Sequence, residues 1–125
     1  MISEMKLVAR SSVILVGSGT LTPAVAAENF LVSPALLGSY QLFVDTVNMV
    51  DGDVLELRAY VKVLVGGVQR VAYLMTWYGA QPVDELIKIS PIITSELADA
   101  NAVRFSLNQT YGAAGRAFPW KVVKV

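Results

Sequence analysis

The sequence predicts an all-β fold, an antiparallel β-sandwich of jelly-roll or Greek-key type with seven to eight strands. Three observations predict it. Apolar and polar residues alternate with a period of two in several segments. Turn residues interrupt the chain about every 8–12 positions, as in sandwiches and barrels. No long segment repeats its apolar residues at helical spacing. A closed barrel is the second choice. The 125 residues fit one domain, 1–125, in which 1–37 form an N-terminal arm or the first strands.

Met5 to Val16 reads as a first strand, rich in Val, Ile and Leu. Gly17 to Ala24 reads as a loop, because Gly, Thr and Pro23 disfavour a central strand. Ala27 to Val32 is a short strand stopped by Ser33-Pro34, and Ser39 to Asp45 is the next. Asp51-Gly52 is a strong turn pair. Asp53 to Leu64 is the clearest strand. Leu55, Leu57, Ala59, Val61 and Val63 share its core face, and Glu56, Arg58, Tyr60 and Lys62 share the other. Gly66-Gly67 reads as a two-residue hairpin turn leading into a strand over Val68–Tyr78. Leu86 to Ile93 contains Pro91 and belongs at an edge or a bulge. Thr94 to Asn101 is a polar loop with one helical turn expected at Ser95–Ala98. Ala102 to Tyr111 alternates again, with Val103, Phe105 and Leu107 inward. Ala117 to Val125 is the last strand, and Pro119 marks its start or an edge.

Composition narrows function. The chain has no Cys and no His, so disulfides, thiolate chemistry and His-based catalysis or metal binding are excluded. Ten basic and ten acidic residues give zero net charge without like-charge runs, which offers no steering toward nucleic acid or anionic lipid. Hydrophobic residues make up 54% and charged residues only 16%, against about 25% charged in an average soluble domain. No run reaches the roughly 20 apolar residues of a membrane helix. The apolar excess therefore points to surface buried against other subunits. Residues 1–27 resemble a weak secretory leader, but Glu4 sits in its basic part and Gly17 to Thr20 break its apolar part. The segment is read as belonging to the mature protein.

No constellation carries catalysis. Asp51 and Asp53 flank a glycine and are explained by a turn, and Asp51-Gly52-Asp53 falls short of a calcium loop. Asp84-Glu85 starts a loop after Pro82. Gly17-Ser18-Gly19 lacks a third glycine and a following helix, and Gly66-Gly67 lacks the lysine of a phosphate loop. Neither a cofactor nor a metal is expected.

The hairpin supplies the candidate site. A two-residue turn at Gly66-Gly67 opposes Arg58 to Met75, Glu56 to Trp77, Tyr60 to Tyr73 and Lys62 to Val71. One face then carries Arg58, Tyr60, Lys62, Val71, Tyr73, Met75 and Trp77, and that mixture of aromatic, Met and Arg residues is typical of interface cores. An ordinary exposed sheet face is the plainer alternative. A one-residue slip would exchange the faces. Tyr60, Tyr73, Trp77 and Trp120 also suggest a sugar-stacking platform, and Phe118-Pro119-Trp120 a lid at one end of the sandwich.

A resemblance extends this reading. The stretch Tyr40-Gln41-Leu42 through Asp45, then Asp51-Gly52-Asp53-Val54-Leu55-Glu56-Leu57-Arg58, resembles small structural proteins of tailed bacteriophages. So do Tyr78-Gly79-Ala80-Gln81-Pro82, Ile87-Lys88-Ile89-Ser90, Phe105 to Thr110, and Phe118 to Val122. It covers Gly38 to Val125 and rests on turn and core motifs. It implies a non-enzymatic virion protein of capsid decoration (cement) type, or a related head or neck protein. Such a protein is assembled in the host cytoplasm and binds the major capsid protein or other virion proteins. A homo-oligomer is expected, with a trimer favoured, and neither nucleic acid nor membrane as partner. A carbohydrate-binding or adaptor module of a phage tail, neck or fibre is the alternative.

Overall fold

A computed structural model describes residues 13–34, 37–99 and 101–125. Its strands are β1 (Ile14–Leu21), β2 (Glu28–Phe30), β3 (Gly38–Asp45), β4 (Val54–Val61), β5 (Arg70–Tyr78), β6 (Ile87–Ile89), β7 (Ile93–Ser95), β8 (Val103–Tyr111) and β9 (Phe118–Lys124). They form two antiparallel sheets. The first has the order β1-β9-β3-β6, with β7 also on β3, and the second the order β2-β8-β4-β5.

β6 and β7 both pair along β3, one at each end, with Ser90-Pro91 between them. Proline cannot donate to a ladder, so one edge strand is broken into two short pieces. Counted as one, they leave eight strands in nested antiparallel pairs: β1 with β9, β2 with β8, β3 with β6/β7, and β4 with β5. The chain changes sheet at each connection except the β4–β5 hairpin. This is the jelly-roll order.

The core lies between the sheets. Leu55, Leu57 and Ala59 of β4 and Val103, Phe105 and Leu107 of β8 meet Tyr40, Leu42 and Val44 of β3 and Phe118 and Val122 of β9. The alternation read in the sequence places the β4 and β8 side chains correctly, since period two puts every second residue on the buried face, except Val63, which lies past the end of β4 and is exposed. Leu31, Met49 and Ile93 complete the cluster, with Tyr73, Trp77 and Trp120 packed partly against it.

Local readings are corrected in four places. The strand expected over Met5–Val16 lies mostly outside the described residues, and β1 runs on through Gly17-Ser18-Gly19-Thr20, expected to be loop. Glycine suits position 17 because the space for a side chain is taken: a Cβ on Gly17 would stand 2.8 Å from Val32 Cγ1. A Cβ on Gly19 would make an ordinary contact with the Trp120 ring at 3.5 Å. A bulge at Val16 shifts the register against β9. Pro119 sits near the start of β9, beyond the last β3 partner pair Val44 with Trp120, so no β3 ladder bond is lost there. The helical turn expected at Ser95–Ala98 is instead a side-chain turn, in which the Ser95 hydroxyl donates to the Leu97 carbonyl and accepts from its N–H. A single 3-10 turn forms at Val83–Glu85, after Pro82.

The fourth correction concerns the hairpin. β4 ends at Val61 and β5 begins at Arg70, so the connection is longer than the two-residue turn expected from Gly66-Gly67. Gly66 has φ +74 and lies inside a turn closed by the Gly67 N–H to the Leu64 carbonyl, 2.9 Å. The loop is also tied sideways. Asp99 Oδ2 accepts from the Gly66 N–H at 3.0 Å and the Lys62 ammonium at 3.3 Å, and the Gln69 amide donates to the Asn101 carbonyl. These bonds draw the chain off the β5 ladder, and pairing stops early.

Candidate assembly surface

The longer loop changes the register. Leu55 opposes Trp77, Leu57 opposes Met75 and Ala59 opposes Tyr73, after which a bulge sets Tyr60 against Val71. Every expected partner is displaced by at least one position, and a one-residue slip exchanges faces. The seven candidate residues are therefore divided. Arg58, Tyr60 and Val71 lie on the outer face of the second sheet. Tyr73, Met75 and Trp77 turn toward the inner side, and Lys62 stands in the loop beside Asp99. The single stripe expected from the sequence does not form.

On the outer face a polar network takes its place. Cross-strand rows set Glu28, Asn108, Glu56 and Thr76 side by side, then Phe30, Ser106, Arg58 and Leu74. The Glu28 carboxylate accepts from the Tyr60 hydroxyl at 2.5 Å and the Ser106 hydroxyl at 2.6 Å. Arg58 pairs with Glu56 at 2.7 Å and leans on the Tyr60 oxygen at 3.4 Å. The Arg104 guanidinium lies 3.6 Å from the centre of the Phe30 ring, and the Phe30 and Tyr60 rings are 5.5 Å apart. Burial pushes the Glu28 carboxyl up. The hydrogen bonds from Ser106 and Tyr60, with the Arg58 and Arg104 charges, outweigh it and hold the carboxyl below its ordinary value. Through Glu28 these bonds tie β2 to β4 and β8, so the plate is a cross-strand brace.

Exposed apolar surface lies at the β4–β5 hairpin and along β5, and also on the first sheet at Val13, Ile14 and Leu15 and at Ile87, Ile89 and Ile92. Val63 is 84% exposed, Leu64 70%, Val65 73% and Val68 67%, all on the loop. Leu74, Met75 and Tyr78 are exposed on β5, and Val83 follows at 81%. β5 is an edge strand whose partner among the described residues is β4. Sequence reasoning found the hairpin but missed Leu64, Val65, Leu74, Tyr78 and Val83. A signal was available, because Arg70 is the sole charged residue between Lys62 and Asp84.

Two further features complete the surface. A groove of about 400 Å³ on the first sheet is lined by Phe43, Asp45, Ile87, Pro119, Trp120 and Lys121, with the Lys121 ammonium 4.9 Å from the Phe43 ring centre. Inside the sandwich mouth, between β5 and β6, Lys88 is buried and its ammonium lies 5.7 Å from the Trp77 ring centre. The four rings considered for a sugar platform are dispersed: Tyr60 on the outer face, Tyr73 and Trp77 on the inner side of β5, and Trp120 on β9 against Gly19. Among the described residues no group of three or more Asp and Glu side chains is placed to hold a metal ion, and no helix is long and apolar enough to cross a membrane.

No protein-family model, curated protein or solved structure matches the chain.

Proposed function

We propose that this protein is a non-enzymatic structural subunit of a larger assembly, a virion protein of the capsid decoration type that docks on the major capsid protein or a neighbouring virion protein. The observation that carries the reading is the apolar hairpin tip with the β5 edge. Val63, Leu64, Val65 and Val68 stand in water together, and contiguous exposed apolar residues mark interaction sites. Burying them across a subunit boundary would resist separation of the subunits, since each square ångström of apolar surface removed from water contributes about 25 cal/mol. The jelly roll is compatible, being used by viral capsid and lectin domains and by cupins alike. Fold alone does not assign function, so the reading rests on the surface. The absence of Cys and His from the sequence, with zero net charge, argues against enzyme and nucleic-acid readings.

The test is co-sedimentation. Virus particles produced by the host that carries this gene are banded on a density gradient, and the protein is quantified by mass spectrometry in each fraction. The proposal expects it in the particle band at a fixed ratio to the major shell protein. Recovery only at the top of the gradient would overturn it.

A further inference from the structure

We propose that the outer edge of β5, unpaired among the described residues, pairs with β5 of a second copy of this chain, antiparallel and across a two-fold axis, joining two four-stranded sheets into one. This inference rests on the assembly reading and names its self-contact. A sheet edge exposes unpaired N–H and C=O groups, and proteins blunt it with proline, charge, bulges or brevity.

Among the described residues three of the four edges are blunted. β1 carries a bulge and two glycines. β2 has three residues. β6 and β7 have three each, are separated at Pro91, and hold the inward Lys88. β5 is different. It has nine residues, and Val71 to Tyr78 contains neither charge nor proline. Its bulge lies at Ala72, between the pairs Ala59–Tyr73 and Tyr60–Val71, which leaves Tyr73–Tyr78 regular.

That run is self-complementary. Antiparallel pairing about Met75 sets Tyr73 of one copy against Trp77 of the other and Leu74 against Thr76. Inner residues then meet inner and outer meet outer, as a continuous sheet requires. No like charges meet, because the run has none. The ends match as well. Antiparallel pairing carries the apolar hairpin tip of each copy toward the far end of its neighbour's β5, where Tyr78 and Val83 are exposed. A two-fold contact is closed and isologous, so it stops at two copies through this edge. The unit is then a dimer or a multiple of two, in place of the trimer that the phage resemblance implies.

Cysteine chemistry tests this directly, because the chain has no cysteine of its own. Directly opposed residues in an antiparallel pair stand about 4.5–5.5 Å apart at Cα, within disulfide reach. Met75→Cys should yield a disulfide-linked dimer on mild oxidation, read on a non-reducing gel. Ile87→Cys, exposed on the other sheet, should not. Adding Leu74→Lys to Met75→Cys should abolish the link while the urea midpoint stays near that of Met75→Cys alone. Wild-type hydrogen exchange gives a readout free of substitutions: amides of Tyr73–Tyr78 should exchange more slowly in concentrated than in dilute protein. A folded Met75→Cys that stays monomeric, equal linking through Ile87→Cys, linking that survives Leu74→Lys, or concentration-independent exchange would each overturn the pairing. Particle co-sedimentation reads binding to the particle whether or not two β5 edges pair, so its outcome separates failure of the pairing from failure of the assembly reading.

Discussion

Single residues carry strain and charge that can be tested alone. Gly112 has φ +145, and a Cβ there would meet Asp53 Oδ1 at 2.6 Å and the Gln109 amide nitrogen at 2.5 Å. Gln109 is itself buried and bonds the Ala114 carbonyl and the Arg116 N–H, so neither neighbour can give way. Gly112→Ala should therefore cost roughly 2–3 kcal/mol of stability in urea denaturation. Asp53 is 1% exposed and receives the Arg116 guanidinium at 2.9 Å and the Val50 N–H at 3.0 Å. Arg116→Ala leaves a buried carboxylate without its partner and should cost about 3 kcal/mol in the same measurement. Glu28 sets a pH dependence. Its carboxyl is held below the ordinary value in the folded state, so its stabilising contribution is present above the unfolded pKa and is lost as pH falls through the folded one. The wild type should lose stability on acidification below about pH 4.5, and Glu28→Gln should lose less over the same range, as read from urea midpoints against pH.

At the scale of elements, β4, β8 and the core faces were legible because strict alternation fixes which side chain is buried. β5 was legible as a strand but not in register. The slip arose from Asp99, distant in sequence, whose carboxylate captures Lys62 and Gly66 and lengthens the loop. Tertiary bonds of this kind leave no local pattern. β1 was misjudged because Gly17 and Gly19 read as loop residues, whereas both pair with β9 and Val32 occupies the side-chain space of Gly17. The interface stripe failed with the register, since faces exchange on a one-residue slip. The charge-poor stretch from Val63 to Val83 was the better guide, being independent of register. The hairpin tip makes its own prediction. Leu64→Ser should move the urea midpoint by no more than about 0.5 kcal/mol, because the side chain is already in water. The same substitution should raise the dissociation constant of any self-association, measured by analytical ultracentrifugation.

Across the whole molecule, the nested pairing of eight strands gathers long-range contacts around one core, with the β4–β5 hairpin at the tip of the nest. Such non-local topologies fold slowly, in milliseconds to seconds. Core truncation should be severe: Leu57→Ala, at a fully buried position paired with Leu107 and Met75, should cost about 2–5 kcal/mol in urea denaturation. Part of the apolar excess read from composition is exposed at Val13, Ile14 and Leu15 and at Ile87, Ile89 and Ile92 on the first sheet, and part on the hairpin tip and the β5 edge. The central claim is that this surface is covered by another copy or a partner when the protein works. Light scattering on the size-exclusion eluate, over a range of loading concentrations, tests its self-association arm most directly. The account predicts a mass of twice the 13.5 kDa chain mass, or an even multiple of it. A mass that stays at the single-chain value at every concentration, with the protein folded, would contradict it.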